Sequence, residues 1–224
     1  MKKLIAFLTA AMMIMTVCVS AKYSEDDLTK AADEAVAWKN SNASPYYNSG
    51  TEAADLYIFA LKRLGVDYDY SRYSDNMRSV LGNYGSNRSA AVYARTILAL
   101  EACGQDAGYF NDRNFVGEGT YDKDNISGAD DWAWALIALD SKDYGVPEGS
   151  RNSREDIIKH IMAAQNADGS IGRSVSSTAV AVIALAEYTY DEKVYAYTNT
   201  ETGEEKNATA WEIVTAAKSE AKRS

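Results

Sequence analysis

Val180-Ala181-Val182-Ile183-Ala184-Leu185 is apolar at every position, and related segments precede it three times in the chain. They are Leu56-Tyr57-Ile58-Phe59-Ala60-Leu61, Arg95-Thr96-Ile97-Leu98-Ala99-Leu100 and Trp134-Ala135-Leu136-Ile137-Ala138-Leu139. Their Ala-Leu pairs begin at 60, 99, 138 and 184, giving steps of 39, 39 and 46 residues. A near-constant step of this size marks tandem supersecondary units, each of which buries its apolar face only by stacking on its neighbours. The fold class expected is all-α, a row of helical hairpins.

Each unit predicts two helices of different character. The recurring helix, as in residues 179–186, is apolar nearly all round and rich in alanine. Such a helix must be covered on every side, and its small residues permit close approach of neighbours. Its partner is amphipathic. Over residues 152–165, Ile157, Ile158, Ile161 and Met162 form one stripe, with Lys159 and His160 outside it. Asn152 with Glu155, or Ser153 with Asp156, has capping-box spacing at its start. Residues 25–40 predict a similar outer helix, with Leu28, Ala31, Ala32, Ala35 and Trp38 on the stripe. One buried and one half-exposed helix per unit implies two concentric layers, an inner and an outer. Val194–Thr198 is the one stretch of strand character, and with Thr202-Gly203 after it predicts a small hairpin. Residues 207–222 predict a last helix that caps the array, Trp211 and Val214 covering the inner helix at 178–188.

The N-terminus reads as an address. Lys2 and Lys3 precede an uncharged run from Leu4 to Val19, and Val19-Ser20-Ala21 supplies the small residues a signal peptidase recognises. The expected division is a signal peptide at 1–21 and a repeat domain at 22–224, secreted or held at the cell envelope. The apolar run is short for a membrane span and no second one follows, so none is expected after cleavage. Met15-Thr16-Val17 departs from the small-residue pattern that would make Cys18 a lipid-attachment site. Cleavage leaves Cys103 as the single cysteine, without an intramolecular disulfide, in a chain long enough to build its core unaided. Its place at the end of an apolar helix suits a buried small hydrophobe. The formal charge is −9, from 32 acidic and 23 basic side chains, so a nucleic-acid partner is disfavoured.

The segment Gln165-Asn166-Ala167-Asp168-Gly169-Ser170-Ile171-Gly172 follows an amphipathic helix and precedes an apolar one. It resembles the repeat motif of the prenyltransferase and squalene cyclase superfamily, in which a helix ends at a glutamine before an Asp-Gly turn and an aromatic. Ile171 stands at the aromatic position. Gly128-Ala129-Asp130-Asp131-Trp132-Ala133-Trp134 and the apolar run after it resemble the inner helix of the same family one unit earlier. The likeness covers residues 25–188, most closely 128–188. It implies an α/α toroid. At a 39-residue period the chain holds about four and a half hairpins, so an incomplete or open ring is expected.

The resemblance also frames the chemistry. Cyclases of the family protonate their substrate from Asp-x-Asp-Asp; here the stretch reads Gly128-Ala129-Asp130-Asp131, without the first aspartate whose proximity raises a carboxyl pKa. Asp130 and Asp131 then read as helix-start residues facing the positive end of the dipole. The zinc site of protein prenyltransferases needs Asp, Cys and His together, which one histidine (His160) and a distant Cys103 do not supply, so neither metal nor cofactor is expected. Sixteen tyrosines against four phenylalanines is a marked bias towards rings with a polar end, suited to glycan, peptide or small-molecule surfaces. Tyr84 and Tyr121 fall between predicted helices, and Trp132 and Trp134, two apart on a helix, face different ways; these four are the candidate binding residues. The expected function is a non-catalytic binding or interaction module for an extracellular small molecule, glycan or protein, as some members of the family are. The alternative is a terpenoid cyclase-like or polysaccharide-active α/α-barrel enzyme using Asp130, Asp131 or Asp140.

Overall fold

The computed structural model describes residues 51–65, 69–85 and 87–221, together with helical positions 30, 33, 34 and 37. The signal peptide at 1–21, most of the outer helix at 25–40 and Cys18 lie outside the described residues. Eight α-helices occur among them: α1 (Glu52–Arg63), α2 (Ser71–Val80), α3 (Ala90–Ala102), α4 (Phe115–Gly119), α5 (Gly128–Asp140), α6 (Arg154–Ala163), α7 (Val175–Leu185) and α8 (Ala210–Ala221). A two-stranded antiparallel hairpin, β1 (Val194–Thr198) and β2 (Glu205–Thr209), joins α7 to α8. The protein is mostly helical, and the hairpin stands where the strand-like stretch and Thr202-Gly203 place it.

The four recurring segments are α1, α3, α5 and α7, and they lie side by side in chain order. Their buried faces share one core that includes Ile58, Ile97, Leu136, Ala181 and Leu185. α4 packs on α3, α6 on α5, and α8 on α7 and the 3-10 turn after it. Ala99, Ala138 and Ala184 are buried at these contacts, as their pattern predicts. Ala60 differs: it is exposed, because the buried stripe of α1 among the described residues is Ala54, Asp55, Ile58 and Leu61, and Ala60 lies off it.

Local chemistry sets the helix ends. Thr51, Ser89, Asn114 and Ser174 each accept a backbone N–H from the first turn that follows, satisfying donors that the helix cannot pair. At α6 the capping box is Ser153 with Asp156. Asn152 is buried instead, and donates to the carbonyls of Thr120 (3.1 Å) and Lys123 (3.0 Å). Gln165, at the end of α6, donates to the carbonyls of Gly169 and Ile213, each at 3.1 Å. Gly169 has φ +94°, and a side chain there would meet the Ala216 carbonyl oxygen at 2.9 Å. The Asp-Gly turn is thus both a left-handed corner and the seat of α8.

The hairpin is tied to α6 twice. Tyr195 and Tyr197 turn inward from β1, which packs on α6. At the turn, Thr200 donates its N–H to the Ala163 carbonyl at 2.9 Å and Asn199 donates to that of Gln165 at 2.7 Å, closing the open end of α6. Because β2 runs through Thr209, α8 starts later than residue 207. Its buried stripe is Ala210, Ile213, Val214 and Ala217, while Trp211 is exposed. Val214, not Trp211, belongs to the buried face of α8.

Candidate functional site

The C-terminal ends of α3, α5 and α7 lie together and are joined by a continuous path of hydrogen bonds. Glu101, in the last turn of α3, accepts from the Ala107 N–H at 3.0 Å and from the Tyr144 hydroxyl, and Lys142 pairs with it at 3.0 Å. Tyr144 follows α5, and its carbonyl accepts from Arg154 at 3.0 Å. Arg154 also pairs with Asp140, the last residue of α5, at 3.0 Å. Asp140 in turn accepts from the Tyr188 hydroxyl at 3.0 and 2.9 Å, and Tyr188 follows α7.

The path repeats one device. An acid ends one of the recurring helices, and a tyrosine just past the next one donates to it while a cation flanks it. Glu101 and Asp140 are one 39-residue step apart in the sequence. Glu101 is not among the residues the sequence singles out; its register with Asp140 is the signal that could have found it. The tyrosine partners, Tyr144 for Glu101 and Tyr188 for Asp140, lie 43 and 48 residues away and follow no fixed step.

Electrostatics differ between the sequence-predicted acids. The Asp140 side chain keeps only 14% of its surface exposed. Burial pushes its carboxyl up to about 6, against the pull of the Arg154 guanidinium and the Tyr188 hydroxyl. Tyr188 and Tyr144 are both held well above the ordinary phenol value, by burial first and then by the acids beside them, so both remain donors. Asp130 is exposed in the first turn of α5. Asp131, its neighbour, accepts the backbone N–H of Ala91 at 3.1 Å. Asp131 and Asp140 sit at opposite ends of α5, roughly 14 Å apart along its axis. Paired glycosidase carboxylates stand roughly 5–10 Å apart, so the structure does not bring these acids together.

The aromatic candidates separate too. Tyr84 is buried, its hydroxyl donating to Thr96 at 2.9 Å and its ring edge-on to Tyr93 at 5.2 Å. Tyr121 is buried and accepts from Asn114 at 2.7 Å. Both therefore serve the interior, because the loops that carry them fold back over α3. Trp132 stacks on His160 of α6 at 4.1 Å, nearly parallel. Trp134, about 200° further round α5, lies 6.0 Å from the Arg95 guanidinium of α3. Both indoles are half-buried.

A further polar centre escaped the sequence reading. Asp55 of α1 is buried and accepts from the hydroxyls of Tyr73 and Thr96, each at 2.6 Å. It binds α1, α2 and α3 together, and only a fold reveals an acid inside an apolar helix face. Cys103 closes α3, and burial pushes its thiol up to about 12, leaving it protonated and unreactive at neutral pH. Among the described residues no group of three or more His, Cys, Asp or Glu is placed to hold a metal ion, and no helix is long and apolar enough to cross a membrane. In comparisons with known proteins, no family model, curated protein or solved structure matches the chain.

Proposed function

We propose that the protein is a non-catalytic binding module, exported to the cell surface or medium, built on an open toroid-like array of the prenyltransferase and squalene cyclase type. Its ligand meets the end face formed where α3, α5 and α7 finish. The observation that carries this reading is the engagement of Asp140. A general acid delivers its proton to a substrate within hydrogen-bond reach, whereas both oxygens of Asp140 already accept from Tyr188 and one of them from Arg154. Asp131 is likewise engaged, accepting the Ala91 N–H in the first turn of α3 beside the Ser89 cap. These acids tie helices together and leave the surrounding loops to meet a small molecule, glycan or protein.

One observation favours the enzyme alternative: a half-buried carboxyl raised to about 6 is what a general acid at neutral pH requires. Turnover assays on polysaccharides and on terpenoid precursors separate the two readings. The expected result is no product from wild type. Product formation that Asp140→Asn abolishes while its melting temperature holds would install the enzyme in place of the module. N-terminal sequencing of exported protein is expected to begin at Lys22; a start at Met1 would overturn the export signal.

A further inference from the structure

Tyr109 stands 70% exposed on the loop between α3 and α4. Exposure by itself is ordinary on a protein surface; the way this ring is held is not. Its hydroxyl donates to the Asp112 carboxylate at 2.8 Å. Directly after it, Phe110 and Arg113 exchange both backbone hydrogen bonds around Asn111 and Asp112, whose φ angles are +52° and +63°. That is the two-residue primed turn, and Asn and Asp are among the few L residues that enter it readily.

The base of the turn is anchored on both strands. Phe110 is buried edge-on to Phe115, with the Arg78 guanidinium 5.0 Å from its ring. Arg113 pairs with Glu118 and donates to the Tyr84 carbonyl at 2.9 Å. Before the ring, Gly108 donates its N–H to Asp106 at 2.9 Å, and Ala107 to Glu101 at 3.0 Å. The backbone on both sides of Tyr109 is therefore held before any ligand arrives, and the hydroxyl is tied to Asp112, which lowers the ordering cost of binding.

We propose that Tyr109 is the stacking platform of a glycan subsite that takes the apolar face of a neutral pyranose. Asp112, which accepts the ring's hydroxyl, and the exposed Asp106 and Asn111 of the same loop supply the polar groups that bond sugar hydroxyls in this proposal. This deepens, and rests on, the binding-module reading above. Two features select a neutral sugar. The exposed neighbours Asp106, Asn111, Asp112 and Asn114 are all polar, so the ring lacks the water-excluding surround of a protein–protein hot spot. The carboxylates of Asp106 and Asp112, in a chain of formal charge −9, repel uronic and sulfated sugars.

Affinity electrophoresis of the purified protein tests this, in gels of soluble neutral polysaccharides (glucan, xylan, mannan) and of pectate as the anionic control. Retardation is expected in a neutral gel and not in pectate. Tyr109→Ala is expected to weaken it about tenfold or more at an unchanged melting temperature, while Tyr109→Phe keeps the ring and loses only a few-fold. Absence of retardation in every neutral gel, or retardation by pectate alone, overturns the subsite. Undiminished retardation of Tyr109→Ala overturns the role of Tyr109 but leaves the binding module standing, since that reading fails on turnover instead.

Discussion

The carboxylate of Asp131 accepts the backbone N–H of Ala91 at 3.1 Å, so an acid in the first turn of α5 closes the open start of α3, 40 residues before it. The bond couples the neighbouring helices α3 and α5 at their N-terminal ends, as Tyr188 and Asp140 couple α7 to α5 at the other. Negative charge there also faces two helix starts at once.

Removing that cap is expected to weaken the fold and leave binding alone. Asp131→Ala should cost about 0.5–2 kcal/mol, the range of a lost N-cap. For a domain of this size each kcal/mol lowers the melting temperature by about 2–4 °C. Ligand affinity should stay within a factor of a few. Calorimetry together with a binding titration checks both, and a thousandfold loss of some turnover would show Asp131 to be catalytic instead.

Asp140 predicts an unusual pH dependence. Its folded-state carboxyl lies at about 6, above the usual 3.8. The folded state therefore binds this proton more tightly than the unfolded chain does. The stability contributed is fully present below pH 3.8 and is lost as pH rises to about 6. The loss is on the order of 1–3 kcal/mol. Asp140→Asn should remove this descent, so the difference in unfolding free energy between variant and wild type should change across that window. A difference that is flat from pH 4 to pH 7 in urea titrations would show that Asp140 titrates normally.

Equivalent alanines should respond unequally. Phe at Ala99, Ala138 or Ala184 overfills a closed helix contact and should destabilise by about 1–3 kcal/mol. Ala60→Phe, on an exposed face, should stay within about 0.5 kcal/mol. Thermal melts of the four variants test the packing directly; four wild-type melting temperatures would mean that these helices do not meet as described.

Gly169 and α8 make a linked prediction. Gly169→Ala forces a side chain into a left-handed corner and against the Ala216 carbonyl, so α8 should loosen, with a fall in stability of about 1–3 kcal/mol. Ending the chain before Ala210 should uncover the flank of α7 and produce self-association, visible by light scattering. A truncated protein that stays monomeric and melts like the full chain would show that α8 is no cap.

Much was legible in one dimension. The 39-residue step is read directly from the sequence, and the all-apolar helices, the hairpin after Val194 and the Asp-Gly turn follow from local propensity within one turn or one element; the capping box at α6 was narrowed to two pairs, of which the structure has Ser153–Asp156. Trp132 and Trp134 facing apart is likewise simple helix geometry.

Partner choice was not legible, because it depends on what a neighbouring unit brings within hydrogen-bond reach. Tyr84 and Tyr121 lie between helices in the sequence, but their loops fold back and bury them. Trp211 matched an apolar stripe, but the face of α8 that is buried carries Ala210, Ile213, Val214 and Ala217 and leaves Trp211 exposed. The sequence alone determined which segments are helical and that they recur. The tertiary structure alone decided that Asp131 caps another helix, that Asp140 is half-buried between Arg154 and Tyr188, and that Asp55 is enclosed. Periodicity fixes the face a residue occupies, whereas burial and pKa depend on distances between residues some 40 positions apart, which local pattern does not encode.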